Sequence, residues 1–379
     1  MSTCLTFRTT LGKMPPRHLT PCPEESYAEH IEGEMLERRK SEHLRINLEE
    51  DVGFPRLRTG LERYRFVHNA LPEISLEQVD TTTTFLGKTL RLPLLISSIT
   101  GGTAEAQRIN FHLAEGAQAA GIAMGLGSLR AALESPQVVD TFRIRRIAPD
   151  ILLFANLGAA QVKGDSGPDA CQRAIDLTEA DAVVIHLNPL QEALQVDGDT
   201  DWRGVLGSIE RICQKIELPV IVKEVGWGLS ADVARRLAAA GVSAIDVAGA
   251  GGTSWSQVEM HRAPNKRLRR LSEEFADWGL PTAESLVEVR AALPEIALIA
   301  SGGLRNGMDL AKALALGADV GGIAGPFLQA ANDSPAAVAE LAREIGDVLR
   351  TAMFCLGIPE IDSLKNAPVL RNAYLQSPE

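Results

Sequence analysis

Four polar side chains, His186, Asn188, Gln191 and Glu192, fall within seven positions directly after the apolar run Ala182–Ile185. In an extended strand alternate residues share a face, so His186 and Asn188 project together, and Pro189 forces a turn that presents Gln191 and Glu192. An imidazole can exchange a proton, and amides can orient a polar ligand. A carboxylate such as Glu192 can hold Mg²⁺, a hard cation that prefers oxygen ligands and often bridges to phosphates. A lone histidine here can equally be a satisfied core residue. The density of polar groups favours a site.

Lys223 closes the apolar run Val220–Val222. An ammonium there is costly unless an anion meets it, either an internal carboxylate such as Glu224 or a bound ligand. Ser97-Ser98-Ile99-Thr100 leads into Gly101-Gly102, and such glycines either let backbone approach a flat ligand or make a tight turn. Gly125-Leu126-Gly127-Ser128 is a weak dinucleotide-like pattern without a third glycine or a later acidic partner. Asn156 adds a neutral polar group, and Gly251-Gly252-Thr253 a further flexible strand end. Ser301-Gly302-Gly303-Leu304-Arg305 and Gly321-Gly322-Ile323-Ala324-Gly325 form a pair of glycine-rich ends late in the chain, where backbone N–H groups and helix N-termini can hold a phosphate. That pair does not separate a phosphorylated cofactor from a phosphorylated substrate. Arg38-Arg39-Lys40 and the stretch Arg262–Arg270 are basic; each reads as a solvated face or flexible loop, or as a clamp for a diphosphate.

These residues need a frame. After Leu90, short apolar runs alternate with Ala-rich stretches of helical period. Strands are expected at Leu94–Ser98, Ile122–Gly125, Ile151–Asn156, Ala182–His186, Val220–Lys223, Ala244–Val247, Ala297–Ser301 and Val320–Ala324, with helices such as Ala104–Ala120, Asp169–Leu177, Ala231–Ala240, Ala283–Ala292 and Met308–Leu316 between them. Repeated βα units force parallel pairing, and eight of them suit an α/β fold of the (β/α)8 TIM-barrel type rather than an open doubly wound sheet. Apart from the two basic stretches, every candidate residue then lies at a strand's C-terminal end, where such barrels place their sites. The interval from Val247 to Ala297 is long and reads as an inserted polar, basic loop. Residues 1–35 read as a flexible arm, Leu36–Arg45 as the start of a short helix, and the stretch to residue 90 as a lead-in packed against one barrel end.

Composition narrows the function. Of 379 residues, 45% are hydrophobic and only 4% aromatic, which suits helix-on-strand layers built from Ala, Leu, Ile and Val. The formal net charge of −11 disfavours nucleic acid or an anionic membrane as partner, so an anionic ligand needs a local cluster of donors. The five cysteines are scattered without metal-binding spacing and read as reduced thiols of a cytoplasmic protein; no signal peptide or spanning segment is evident.

The ordered set R-K-x-E-H (Arg39–His43), T-G-G (Thr100–Gly102), H-L-N-P-x-Q-E (His186–Glu192), V-K-E-V-G (Val222–Gly226), G-G-T-S (Gly251–Ser254) and S-G-G-L-R-N (Ser301–Asn306) resembles the type 2, FMN-dependent isopentenyl-diphosphate isomerases over about residues 36–360. Each motif alone is weak, and the ordered set is specific. The resemblance implies an FMN-binding barrel with Ser98, Ile99, Thr100, Ser128, Asn156, Lys223 and Thr253 around the flavin ring and ribityl chain. Lys223 would meet the negative charge of the reduced ring near N1. Gly303, Leu304, Arg305, Ala324 and Gly325 would hold the FMN phosphate. Arg39, Lys40 and Gln191 would bind substrate, Glu192 would ligate Mg²⁺, and His186, Asn188 and Gln191 would stand at the chemistry. Two positions depart from the family pattern: Leu129, where glutamine is usual, and Ala248, where serine is frequent.

The activity so implied converts isopentenyl diphosphate to dimethylallyl diphosphate by allylic proton transfer. Reduced FMN serves as acid/base, NADPH or NADH is needed only to reduce it, and the family suggests tetramers or octamers. The reading agrees with the lack of an evident acid/base carboxylate pair at the strand ends. Its nearest rival is an FMN-dependent 2-hydroxy acid oxidase or dehydrogenase, which needs a catalytic histidine by the flavin and paired arginines for a carboxylate.

Overall fold

A computed structural model describes residues 38–366 and 370–372. The arm expected over residues 1–35 lies outside these.

The eight expected apolar runs all form strands: β1 (Leu94–Ile96), β2 (Ala123–Gly125), β3 (Leu153–Gly158), β4 (Ala182–Leu187), β5 (Val220–Glu224), β6 (Ala244–Asp246), β7 (Ala297–Ala300) and β8 (Val320–Ile323). They pair in parallel in chain order, and β8 closes onto β1 to complete a barrel. Closure satisfies both edges of every strand, so no unpaired backbone is left at a sheet margin. The strands are apolar on both faces because each face is buried. Outward residues such as Ile96, Met124, Ile185, Val222 and Ile245 pack beneath the helices. Inward residues, including Leu95, Phe154, Val184, Ile221, Ile299 and Val320, fill the interior.

The lead-in reaches both ends of the barrel rather than the one end expected: Gly53 bridges Thr253 and Thr59 abuts Gly251 at the C-terminal rim, while its later part packs against the N-terminal end. Its hairpin, Thr83–Phe85 with Lys88–Leu90, pushes Phe85 and Leu90 into the interior cluster as a plug. Each such buried side chain contributes about 1.5–3 kcal/mol.

One ionic tie recurs half a barrel apart on this lower face. Arg145 donates to the carbonyls of Ala148, Pro149, Ile151 and Glu179, and pairs with Asp181 at 2.9 Å. The same Asp181 accepts from the Leu153 amide and from Lys88. Arg290 repeats the pattern with Leu293, Pro294, Ile296 and Gly317, and with Asp319 at 3.0 Å, which accepts from the Leu298 amide and from Lys365. One tie joins the starts of β3 and β4, the other those of β7 and β8. Burial opposes ionisation of Asp181, but the Leu153 amide, Lys88 and Arg145 outweigh it and hold the carboxyl below its usual range.

The insertion after β6 is not the flexible loop expected. It folds as helices Trp255–Arg262 and Lys266–Glu274. The Asn265 side chain caps the second by accepting from the Arg267 and Leu268 amides, and Arg269 pairs with Glu273 one turn on. Within a dense charge run the apolar face shrinks to a few residues, which hides the helical period. No helix among the described residues is long and apolar enough to cross a membrane.

Candidate active site

The barrel's C-terminal rim carries the polar residues. Lys223 and Asp246 stand side by side in the β5–β6 register, and with Ser97, Ser98 and Gly125 they line a cavity of about 10 Å³. The cavity does not extend in this structure to Thr100, Gly303 or Glu192. Lys223 makes no ion pair among the described residues; its Nζ donates to the Glu224 carbonyl at 2.6 Å. The Glu224 carboxylate instead accepts from the amides of Val225, Gly226 and Trp227, so the Lys223–Glu224 ion pair considered from sequence does not form. Burial pushes Glu224 up to about 7 against the pull of those amides and of Lys223.

Glycines at the rim serve close approach. A Cβ on Gly125 would lie 2.7 Å from Ser98 Oγ, and one on Gly127 would lie 2.4 Å from the Thr100 carbonyl, so β1 and β2 end with backbone against backbone. A Cβ on Gly101 would strike the Phe142 ring, and one on Gly102 would lie 2.9 Å from Lys40 Nζ. These two glycines therefore make room for packing and for a lysine. At the β7 end Gly302 and Gly303 adopt φ of 98° and 83°, which excludes a Cβ, and Gly252 abuts Gly303. The Leu304 side chain turns into the core at 2% exposure, so only its backbone is available to a ligand, while Arg305 is exposed. After β8, Ala324 caps the nine-residue helix Gly325–Asp333, and among the described residues nothing lies within 4 Å of a Cβ on Gly325. Open glycine backbone at a helix N-terminus beside Gly302 and Gly303 suits a phosphate.

The helix over residues 38–49 lies across the rim. Lys40 Nζ donates to the Ser128 carbonyl at 3.1 Å and sits 5.1 Å from the Phe142 ring centroid. Burial, then Arg39 and Arg130, push this lysine down to about 7. Arg39 is lowered by burial, then by Arg130, while Glu192 acts the other way. Glu259 latches the helix: it accepts from His43 at 3.1 Å, from Arg262 at 2.7 Å and from Gln191 at 3.3 Å, and Arg262 also reaches Glu42. Trp255 meets the His43 ring edge-on at 5.1 Å. The basic stretch at Arg262 is thus part of the latch.

His186 and Asn188 do not act as the single pair expected from alternation, because β4 ends at Leu187 and Asn188 begins the helix Pro189–Leu194. His186 Nδ1 bonds Asn156 Oδ1 at 2.8 Å, while Asn156 Nδ2 donates to the Leu126 carbonyl. The amide oxygen must therefore accept, which places the imidazole proton on Nδ1 and leaves Nε2 as an acceptor. Burial and then Lys223 push His186 down to about 3, so the ring is neutral. Asn188 Nδ2 donates to Gln191 and Glu192, while its Oδ1 is buried without a partner among the described residues. Glu192, 8% exposed, also accepts from Gln195 and the Asp199 amide.

Two groups can be fitted to this chemistry. The glycine-backed rim with Ser98, Lys223 and the β7–β8 helix N-terminus suits a flat, phosphate-bearing cofactor. For a metal, no group of three or more His, Cys, Asp or Glu comes together among the described residues. The fit is to a cation held by the single carboxylate of Glu192, near the unpartnered Asn188 oxygen, with water and ligand phosphates completing the shell, as Mg²⁺ accepts.

A family model described as FMN-dependent dehydrogenase matches residues 33–139 and 170–371. An isopentenyl-diphosphate delta-isomerase of Nostoc sp. is 56% identical over 333 residues, covering 88% of this chain and 95% of that protein. That of Synechococcus sp. is 54% identical over 336 residues, covering 89% and 97%. The chain belongs to the type 2, FMN-dependent isopentenyl-diphosphate delta-isomerase family. Solved structures share the fold at low identity. A flavocytochrome b2 mutant with benzoylformate has a TM-score of 0.64 at 19% identity, covering 93% of this chain and 88% of that one. A mandelate oxidase mutant with a monooxide FMN adduct has a TM-score of 0.59 at 21% identity, covering 92% and 98%.

Several residues of this isomerase-family site escape a reading of strand ends. His43, Trp255 and Glu259 lie on helices that only the tertiary fold brings to the rim, whereas Arg130 follows the β2 end directly and Arg262 opens the basic stretch read from sequence. Asp246 was legible as a lone acid in the apolar run Ala244–Val247, facing inward with Lys223 by register. Of the two departures, Leu129 is fully buried in the outer core, and Ala248 holds a φ of 37°, fixed by bonds to the Asp246 side chain and Gly228.

Proposed function

We propose that this chain interconverts isopentenyl and dimethylallyl diphosphate, with Mg²⁺ on the diphosphate and FMN in the barrel mouth. The observation that carries the reading is the cationic cluster of Arg39, Lys40 and Arg130 latched over the rim beside Glu192. Burying like charges together raises their energy, as the lowered Lys40 records, and a diphosphate relieves it. Arg39 and Lys40 then grip the diphosphate and Gln191 orients it, while Glu192 shares the cation, so binding energy places the five-carbon chain.

Ser98, Thr100, Ser128, Asn156 and Thr253 offer hydrogen bonds along one face of the mouth, and Lys223 offers positive charge. The β7–β8 backbone, with Gly303, Arg305 and Gly325, takes the cofactor's phosphate. When bound, reduced FMN supplies the acid/base function for the allylic proton shift, and NADPH or NADH serves only to reduce it. His186 Nε2 is a neutral acceptor aimed at this chemistry through its tie to Asn156. The latched helix excludes water, which a cation-like transition state requires. We place the protein in the cytoplasm, in keeping with three free cysteines among the described residues.

Anaerobic incubation of isopentenyl diphosphate with the protein, FMN, NADPH and Mg²⁺ tests the reading. Dimethylallyl diphosphate should form without stoichiometric NADPH consumption. No isomer, together with O₂ consumed mole for mole with a 2-hydroxy acid in a separate aerobic assay, would replace isomerisation with the oxidoreductase reading. A histidine pushed down to about 3 is poorly suited to serve as that rival's base.

A further inference from the structure

Asp246 is a buried carboxylate without an ion pair among the described residues. It is 2% exposed, and its Oδ1 accepts from Ser301 Oγ at 2.7 Å and from the Ala248 amide at 3.2 Å. An amide oxygen could accept both bonds, so the local structure requires an acceptor but not a charge. Burying a charge carries a cost that a neutral side chain avoids. The cation positioned to compensate is Lys223, which is paired with Asp246 in the β5–β6 register and lines the same cavity. The two do not touch, because Lys223 Nζ donates to the Glu224 carbonyl instead. The ammonium and the carboxylate therefore both face the space above the barrel core, each contributing its field to whatever lies there. Burial raises Asp246, and Lys223 is the largest influence keeping it ionised.

We propose that Asp246 acts through Lys223, its carboxylate offsetting part of the lysine's charge and so limiting how strongly the barrel mouth favours reduced over oxidised flavin. This rests on the reading that FMN occupies the mouth with its ring over Lys223. Reduced flavin carries negative charge where oxidised flavin carries none, so a fixed positive charge favours the reduced form and a fixed negative charge opposes it. Balanced in this way, the site holds reduced flavin without making it too weak a donor of protons or electrons.

The test compares FMN-loaded wild type with Asp246→Asn, which keeps the hydrogen-bonding shape and removes the charge. The dissociation constant of oxidised FMN comes from fluorescence quenching, and the midpoint potential from equilibration with a redox dye. In the variant the preference for reduced over oxidised FMN should rise on the order of tenfold. For a two-electron couple that is an upward move of about 30 mV. A residue that serves only structure weakens both redox forms alike and leaves the potential in place. An unmoved or lowered potential in an FMN-loaded variant overturns the proposal. Should Asp246→Asn fail to fold, Asp246→Ser, which also removes the charge, should move the potential the same way; no movement overturns the proposal equally. A wild-type protein that retains no FMN overturns both this proposal and the proposed function. An upward shift in a protein that makes no dimethylallyl diphosphate upholds the role of Asp246 and removes only the reaction.

Discussion

Lys40 Nζ donates to the carbonyl oxygen of Ser128 at 3.1 Å across 88 residues of sequence, tying the helix that crosses the barrel mouth to the turn after β2. The bond aims an ammonium at the place where Gly102 leaves room for it. With Arg39 and Arg130 close by, the lysine sits near half-protonation at neutral pH. A diphosphate should restore its proton.

Binding and pH are therefore linked at Lys40. Its pKa is lowered in the free protein to about 7, and an anion raises it, so affinity for the diphosphate should fall as pH rises above about 7. Lys40→Met should raise KM about 10- to 100-fold at pH 7, the loss expected of a charged hydrogen bond, and should flatten the pH dependence of KM. Steady-state kinetics from pH 6 to 9 check both, and a variant KM that still climbs with pH assigns the titration elsewhere.

Removing the Glu192 charge should act on the metal. Glu192→Gln should raise the Mg²⁺ concentration for half-maximal activity at least about tenfold, because an amide is a poorer ligand for a hard cation. An unchanged Mg²⁺ titration rules out the ligand role.

Lys223→Ala should weaken FMN binding or activity severely, by about tenfold or more, through loss of the positive charge proposed to face the ring. Absorbance of the purified protein and FMN titration measure it. Yellow protein with wild-type turnover removes Lys223 from the cofactor site.

His186 should contribute no step to the activity–pH profile near its ordinary pKa, because burial and Lys223 push it down to about 3. The Asn156 carbonyl holds its Nδ1 proton, so Asn156→Asp, which supplies a full charge, should raise the imidazole and introduce a new limb to the profile. NMR titration of the ring follows the shift directly, and a ring that already titrates near 6.5 in wild type contradicts the assignment.

The paired lower-face ties should serve stability alone. Arg145→Ala and Arg290→Ala each strand several carbonyls and leave Asp181 or Asp319 with one cation fewer, and each should cost roughly 2–4 kcal/mol in urea unfolding. FMN affinity should be unchanged, since both lie at the end of the barrel opposite the site. Asp181 has a depressed pKa in the folded state, so its contribution is present above the ordinary carboxylate pKa and lost as pH falls through the folded value. In acid, therefore, Arg145→Ala should differ less from wild type.

The eight strands, the helices between them and the residues that close each strand were legible in the chain, because period-2 and period-3.6 apolar patterns and glycine stops are local properties. Lys223 at the end of Val220–Val222 and the Gly302-Gly303 end announced themselves for the same reason: a charge or a bare backbone is conspicuous beside an apolar run. The helices after β6 did not, since charge masked the period of Lys266–Glu274. Nor did the parting of His186 from Asn188, which depends on where the β4 ladder ends and the helix at Pro189 takes over.

Tertiary structure alone decided which of these groups meet. Nothing in local pattern relates His43 to Glu259 or Lys40 to Ser128, or shows that Glu224 spends its carboxylate on three amides while Asp246 faces Lys223. Such pairings depend on barrel closure and on how an N-terminal helix docks across the rim, and both are long-range packing outcomes. The chain itself specifies the chemical types available at each strand end. Distance, burial and the field of neighbouring charges arise only once the barrel closes, and they determine what each type can do.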